Sequence, residues 1–192
     1  NGVIFIESAR KATHFIQLAN KSDTPLLFIH NTTGFMVGKK HEQNGMINSG
    51  SQLIHAVAGS TVPHISLQIG NSYGAGNYAM CGRSFNPRFL FSYPNSKSGV
   101  MGADQLAGVM EIVKRRSAQS LNKEIDEKLL QEEKKKLADQ ADKRASVWHT
   151  TSEVWDDGVI DPRDTRKYLS LSLAAVYKSE IKGTSSFGVF RM

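Results

Sequence analysis

Apolar and polar positions alternate along the chain in a repeating order of strand, loop and helix. Val3 to Ile6 is a short apolar run suited to a buried strand. Ser8 follows as a candidate N-cap, and Ala12, Phe15, Ile16 and Ala19 recur at helical spacing. Asp23-Thr24-Pro25 interrupts the helix, and Leu26 to Ile29 reads as a second buried strand. A loop from Asn31 to Gly38 then leads to a helix with Met46, Ile47, Leu53, Ile54 and Val57 on one stripe. The order repeats: strand His64–Ile69, glycine-containing segment Gly70–Gly76, then an apolar helix through Ala79 and Met80. Arg83 to Pro87 turns the chain into a fourth strand, Phe89–Phe91. Val100-Met101 reads as a very short fifth strand before a helix beginning near Ala103.

This succession predicts an α/β fold of stacked βαβ-type units with right-handed crossovers. Residues 122–145 read as an exposed helix with Ile125, Leu129 and Leu130 as its few apolar contacts. In the last helix Asp161 is the N-cap and Pro162 the first turn, and Tyr168 to Tyr177 is almost wholly apolar or small. A helix apolar nearly all round is expected to be buried, in its own domain or against a partner subunit. The apolar tail, Phe187 to Met192, is expected to dock onto something rather than fray.

At 192 residues, 40% hydrophobic and 22% charged, the chain suits one globular domain. No apolar run approaches the roughly 18 residues that cross a bilayer, so no membrane partner is expected. The chain opens at Asn1 directly on a strand, which suggests a piece of a longer protein. The net charge of +6 raises the question of nucleic acid. Between Lys114 and Arg144, however, ten basic residues meet seven acidic ones with no aromatic among them. That pattern describes a solvated helical surface and argues against a nucleic-acid partner, while leaving room for attraction to an anion such as a CoA phosphate.

Chemistry is sparse in the side chains. The six histidines are scattered without metal-ligand spacing, and none of the serines sits in a nucleophile-elbow sequence. Cys81 reads as a small buried hydrophobe, and Asp156-Asp157-Gly158 as a turn. No metal site is expected. The glycines after strands are another matter. Backbone N–H groups exposed between a strand and a helix can stabilise a developing oxyanion, and small residues let a ligand approach them. Ser72 to Gly76 meets that need, as does Thr32 to Gly38, although plain tight turns would show the same residues. Gly74-Ala75-Gly76 lacks the third glycine of a dinucleotide fingerprint, and no Walker-type lysine follows.

Three strings carry a family resemblance: Thr33-Gly34-Phe35-Met36-Val37-Gly38, Gly74-Ala75-Gly76-Asn77-Tyr78-Ala79-Met80-Cys81-Gly82-Arg83, and Val154 to Pro162. With them the chain resembles the C-terminal domain of biotin-dependent acyl-CoA carboxylase β subunits, most closely the methylcrotonoyl-CoA type. Only residues 115–150 look divergent. The resemblance implies a crotonase-like β-β-α superhelix across residues 1–192, as one carboxyltransferase domain whose N-terminal counterpart is absent. It implies transfer of the carboxyl group of carboxybiotin to an acyl-CoA, with the freed biotin nitrogen taking the substrate proton. No side-chain base is then needed.

By position, the resemblance makes Ala75 and Gly76 the backbone donors to the biotin ureido oxygen, and Gly34, Phe35, Tyr73 and Gly74 the surrounding biotin site. Biotin would be carried by a partner α subunit. The acyl-CoA would be held by the N-terminal domain of a second β subunit, within a homo-oligomer of β subunits. The compartment would be bacterial cytoplasm or the mitochondrial matrix. The implied substrate is 3-methylcrotonoyl-CoA. Geranyl-CoA or propionyl-CoA carboxylases, biotin-dependent decarboxylase subunits and a non-catalytic module that binds a biotinylated partner are the alternatives. Gly34 to Gly38 lacks the proline associated with the propionyl type, and Ala79 stands where the methylcrotonoyl type is expected to have glycine. Valine at Gly76 is expected to block the ligand while sparing the fold.

Overall fold

A computed structural model describes residues 2–190. Its centre is a four-stranded parallel sheet: β2 (Leu26–Thr32), β4 (His64–Tyr73) and β5 (Phe89–Ser92) lie side by side. The short β6 (Lys97–Gly99) pairs with the far end of β4. A separate parallel pair joins β1 (Val3–Ile4) to β3 (Gly34–Phe35). Parallel strands need crossovers, and helices supply them. α1 (Ile6–Lys21) leads into β2, α2 (Lys39–Gln43) and α3 (Met46–Gly59) lead into β4, and α4 (Gly74–Ala79) follows β4 directly. Beyond the sheet come α5 (Ala103–Ser120), α6 (Glu127–Ala145), α7 (Val147–Ser152) and α8 (Thr165–Val176).

Alternation on β2 decides where the core lies. Leu26, Phe28, His30 and Thr32 are buried and the residues between them are exposed. Leu26 and Phe28 join Ala9, Ile16 and Ala19 of α1 and Leu53, Ala56 and Val57 of α3 in the main core. Leu67, Phe91 and Ile160 form a smaller cluster, with Phe89 and Tyr168 packed against it. The uninterrupted apolar run of β2 is thus only half buried. Leu27 and Ile29 face outward because β2 is an edge strand with one covered face.

Several expectations need correction. α1 begins at Ile6 with Phe5 in the cap position, not Ser8, and no side chain caps it. Its stripe runs through Ala9, Thr13 and Ile16, which leaves Phe15 64% exposed. Ile47 is likewise exposed, while Ser49 and Gly50 of α3 are buried. β4 continues to Tyr73, so half of the expected glycine loop is strand. The fifth predicted strand lies at Lys97–Gly99 instead of Val100-Met101, because the end of β4 offers pairing to that polar segment. The expected helix over 122–145 starts at Glu127, where the Asp126 carboxylate accepts the N–H groups of Lys128 and Leu129.

Asp161 caps a single 3-10 turn by accepting the Arg163 N–H at 2.8 Å, and α8 follows it. Only Ser172 and Val176 of α8 are buried within this chain. The tail does dock. Phe187 and Phe190 pack on the main core, and the His55 ring meets the Phe187 carbonyl at 2.7 Å. The charged stretch pairs with itself: Arg115 contacts Glu111 and Glu127, and Lys134 contacts Glu111. No helix of the described residues is long and apolar enough to cross a membrane.

Candidate functional site

The site forms where the carboxyl ends of β2 and β4 open. Their register slips between His30 and Thr32, after which Thr32 stands opposite Ser72. Above this irregularity β2 passes into the Gly34 loop, and β4 into α4. Gly74 starts α4 with a φ of +53°, and a Cβ there would lie 2.8 Å from the Val100 carbonyl oxygen. Glycine is required on both counts. Gly76 is where the two loops touch, since a Cβ on it would come within 2.9 Å of the Gly34 Cα and 3.1 Å of Thr32 Cγ2. Valine at Gly76 would therefore press on the neighbouring backbone, against the expectation that it spares the fold.

No side chain caps α4, so its first N–H groups have no side-chain acceptor. Ala75 is exposed and Gly76 buried. The turns are held from beneath by two hydroxyls. Thr32 Oγ1 donates to the Gly2 carbonyl at 2.5 Å and accepts the Gly34 N–H at 3.1 Å. Ser72 Oγ accepts from Asn77 Nδ2 at 2.9 Å and meets His30 Nδ1 at 2.9 Å. Burial lowers the His30 pKa to about 4, so its ring is neutral at neutral pH.

Beside α4 lies a cavity of about 640 Å³, whose walls include Gly74, Ala75, Tyr78, Val100, Trp155 and Asp156. Asp156 of that wall opens the Asp156-Asp157-Gly158 segment, which bends the chain as read from the sequence. Both Asp156 oxygens accept from Thr151 Oγ1, at 2.8 and 2.9 Å. Asp157 Oδ2 accepts the Leu90 N–H at 2.7 Å, and its other oxygen lies 3.7 Å from Arg83. Each carboxylate is thus committed to holding the turn.

The site residues read from the sequence fall into two groups. Gly74 and Ala75 line the cavity, and Gly76 and Gly34 meet behind it. The Phe35 ring lies against Gly50 and the main core, and the buried Tyr73 ring faces Gly99. Neither side chain is part of the cavity wall. Val100, Trp155 and Asp156 were missed as wall residues. Trp155 and Asp156 stood in a resemblance string, yet taken alone they signal only a turn.

The other chemical groups are spent on structure. Cys81 is fully buried, with its sulfur 3.2 Å from His64 Nδ1, and burial pushes the thiol up to about 12. Among the described residues no three His, Cys, Asp or Glu side chains are grouped to hold a metal.

What the site can offer a ligand is backbone N–H groups and a cavity whose wall also carries the Gln68, Asn77 and Arg83 side chains. A carboxyl transferase domain signature runs over residues 1–190. The chain belongs to the carboxyl transferase domain family. It is 54% identical over 191 residues to the probable biotin-dependent acyl-coenzyme A carboxylase beta2 subunit of Mycobacterium tuberculosis, spanning 100% of this chain and 36% of that one. To the mitochondrial methylcrotonoyl-CoA carboxylase beta chain of Dictyostelium discoideum it is 45% identical, spanning 100% of this chain and 33% of that one. It matches the crystal structure of the P. aeruginosa geranyl-CoA carboxylase beta subunit with a TM-score of 0.84 and 46% identity, over 98% of this chain and 36% of that one. The transcarboxylase 12S structure, at 22% identity and a TM-score of 0.81, shares the fold. The crotonase-like α/β expectation holds for this family member. The chain spans about a third of the length of the relatives it matches.

Proposed function

We propose that the chain is the biotin-facing half of an acyl-CoA carboxyltransferase, with 3-methylcrotonoyl-CoA as the acceptor. The observation that carries this reading is the uncapped start of α4 beside a cavity of about 640 Å³, in a chain of the carboxyl transferase family. That volume is within the ordinary range for small-ligand sites, roughly 300–1,000 Å³, so a biotin head group fits. When bound, carboxybiotin supplies the carboxyl group and the nitrogen that takes the substrate proton.

The chain's own part is to hold N–H donors in place. In this reading the Ala75 N–H at the cavity wall and the Gly76 N–H just behind it serve the ureido oxygen as it gains negative charge. A preorganised donor of this kind is worth about 2.7–4 kcal/mol where one has been removed elsewhere. Gly74 keeps the approach open, and Gly34 backs Gly76 from behind. Phe35 and Tyr73 support the site by packing, Phe35 on α3 and Tyr73 against β6. The acyl-CoA and its own oxyanion donors belong to the domain outside this chain, on a second β subunit, and biotin arrives on a partner.

Geranyl-CoA is a second reading, favoured by the 46% identity to a geranyl-CoA carboxylase beta subunit. Both candidates are 3-methyl-2-enoyl thioesters. The test is carboxylation by the full-length protein, assembled with its biotin-bearing partner, of 3-methylcrotonoyl-CoA, geranyl-CoA and propionyl-CoA. The expected ranking of kcat/KM puts 3-methylcrotonoyl-CoA first and propionyl-CoA last. No turnover of any of the three in an intact assembly would sink the enzyme reading.

A further inference from the structure

Beneath the glycine turn runs a row of hydrogen bonds whose inner members, His30 and Ser72, lie away from the cavity and whose outer member, Asn77, reaches its wall. His30 on β2 and Ser72 on β4 are both 0% exposed, and Asn77 is the residue after Gly76 in α4. Asn77 Nδ2 donates to Ser72 Oγ, so the serine proton is free to point at His30 Nδ1. With Nδ1 as the acceptor of that proton, the ring proton sits on Nε2. Nε2 is the one buried side-chain polar atom without a hydrogen-bond partner among the described residues. A buried polar atom without a partner is destabilising, so holding the ring here is not neutral for stability.

The row spans the register slip between β2 and β4 and ends on the helix that carries the donors. α4 has only six residues and no cap, so little in its own structure fixes its rotation about β4. On one side Gly76 abuts the Gly34 backbone. On the other, Asn77 is tied through Ser72 to a fully buried histidine.

We propose that Asn77, Ser72 and His30 are positioning residues for the Ala75 and Gly76 N–H groups, locking the first turn of α4 at the angle the developing oxyanion needs. This rests on the oxyanion role given to those amides above. Every member is neutral, so the lock places no charge behind the donors. Its removal releases the turn without touching the cavity wall on the Trp155 side.

The test uses the full-length protein assembled with its biotin-bearing partner, with Ser72→Ala and Asn77→Ala compared with wild type. Two quantities are read: the kinetic constants for acyl-CoA, and deuterium uptake by the amides from Asn77 to Gly82, at the end of α4 and just after it. Misplacing a catalytic group by an ångström costs on the order of 10²-fold, so kcat is expected to fall about 10- to 100-fold with KM for the acyl-CoA little changed. Uptake is expected to quicken in the same variants. Wild-type kcat in either assembled variant overturns the proposal, as does a lower kcat with unchanged uptake. If wild type itself transfers nothing, the functional reading has failed, and uptake alone decides: unchanged protection in both variants overturns the lock. Asn77→Ala, part-exposed, serves where the fully buried Ser72→Ala does not assemble.

Discussion

Alanine at Gly76 is a sharp test of how the two loops fit. A Cβ there would lie 2.9 Å from Gly34 Cα, 3.2 Å from Gly34 N and 3.1 Å from Thr32 Cγ2. Carbon atoms rest at about 3.5–4.0 Å, so the Gly34 backbone would have to retreat by over half an ångström. It is poorly placed to do so. Its N–H is held by Thr32 Oγ1 at 3.1 Å, and Gly34-Phe35 is paired to Val3-Ile4. Overpacking of this kind costs about 1–3 kcal/mol. At about 2–4 °C per kcal/mol for a domain of this size, Gly76→Ala should lower Tm by roughly 2–12 °C.

Gly108→Ala is the matched control. Gly108 lies inside α5 with nothing within 4 Å of the added methyl. Alanine is the better helix former there by about 0.5–1 kcal/mol, so Tm should rise slightly. Both variants would be measured by differential scanning calorimetry on the full-length protein. Equal shifts, or a Gly76→Ala protein more stable than wild type, would refute the close approach of the loops.

Three further outcomes follow from groups away from that contact. Thr151→Val removes the hydroxyl that both oxygens of the buried Asp156 accept from, and should cost about 1–3 kcal/mol by urea unfolding, whereas Thr151→Ser should cost less. His30 and His64, both lowered to about 4 by burial, stay neutral in the folded chain while the unfolded chain protonates near 6.5. Stability they support is complete above about pH 6.5 and is lost as pH falls toward 4, so the urea midpoint should drop between pH 7 and pH 5; a flat midpoint would contradict their burial. Gly183→Ala would put a Cβ 1.9 Å from the Asn20 carbonyl oxygen, and should release residues 179–190 to proteolysis at concentrations that spare wild type.

Much of this fold is legible in the apolar pattern, because each of the main strands carries its own apolar run. Leu26–Ile29, His64–Ile69 and Phe89–Phe91 are all strand, and the α3 stripe through Leu53 and Val57 is buried. What escaped depends on distant partners. β6 is Lys-Ser-Gly, without strand character of its own, and exists because Asn71 to Tyr73 pairs with it. α8 reads as buried, yet only Ser172 and Val176 are buried in it, and local pattern cannot say which face is covered. At the site, glycines at strand ends marked the turn correctly. His30 looked like one of six scattered histidines, since its contact with Ser72 spans 42 positions. The Trp155 wall is hidden for the same reason, being brought to Gly74 only by the sheet.

The segment after α8 bears on how the chain comes to fold. Gly183 donates to the Asp23 carboxylate, Thr184 to the Asn20 side chain, and the Phe187 carbonyl meets His55. These contacts bridge 160, 164 and 132 positions. Closing such long loops is slow, and contacts of this separation are won late. During synthesis, at about 5–20 residues per second, the face of α1 and α3 that receives Phe187 and Phe190 stays uncovered for many seconds after those helices emerge. The same aromatic pair that finishes the native core is thereby the reason its nascent form needs shielding.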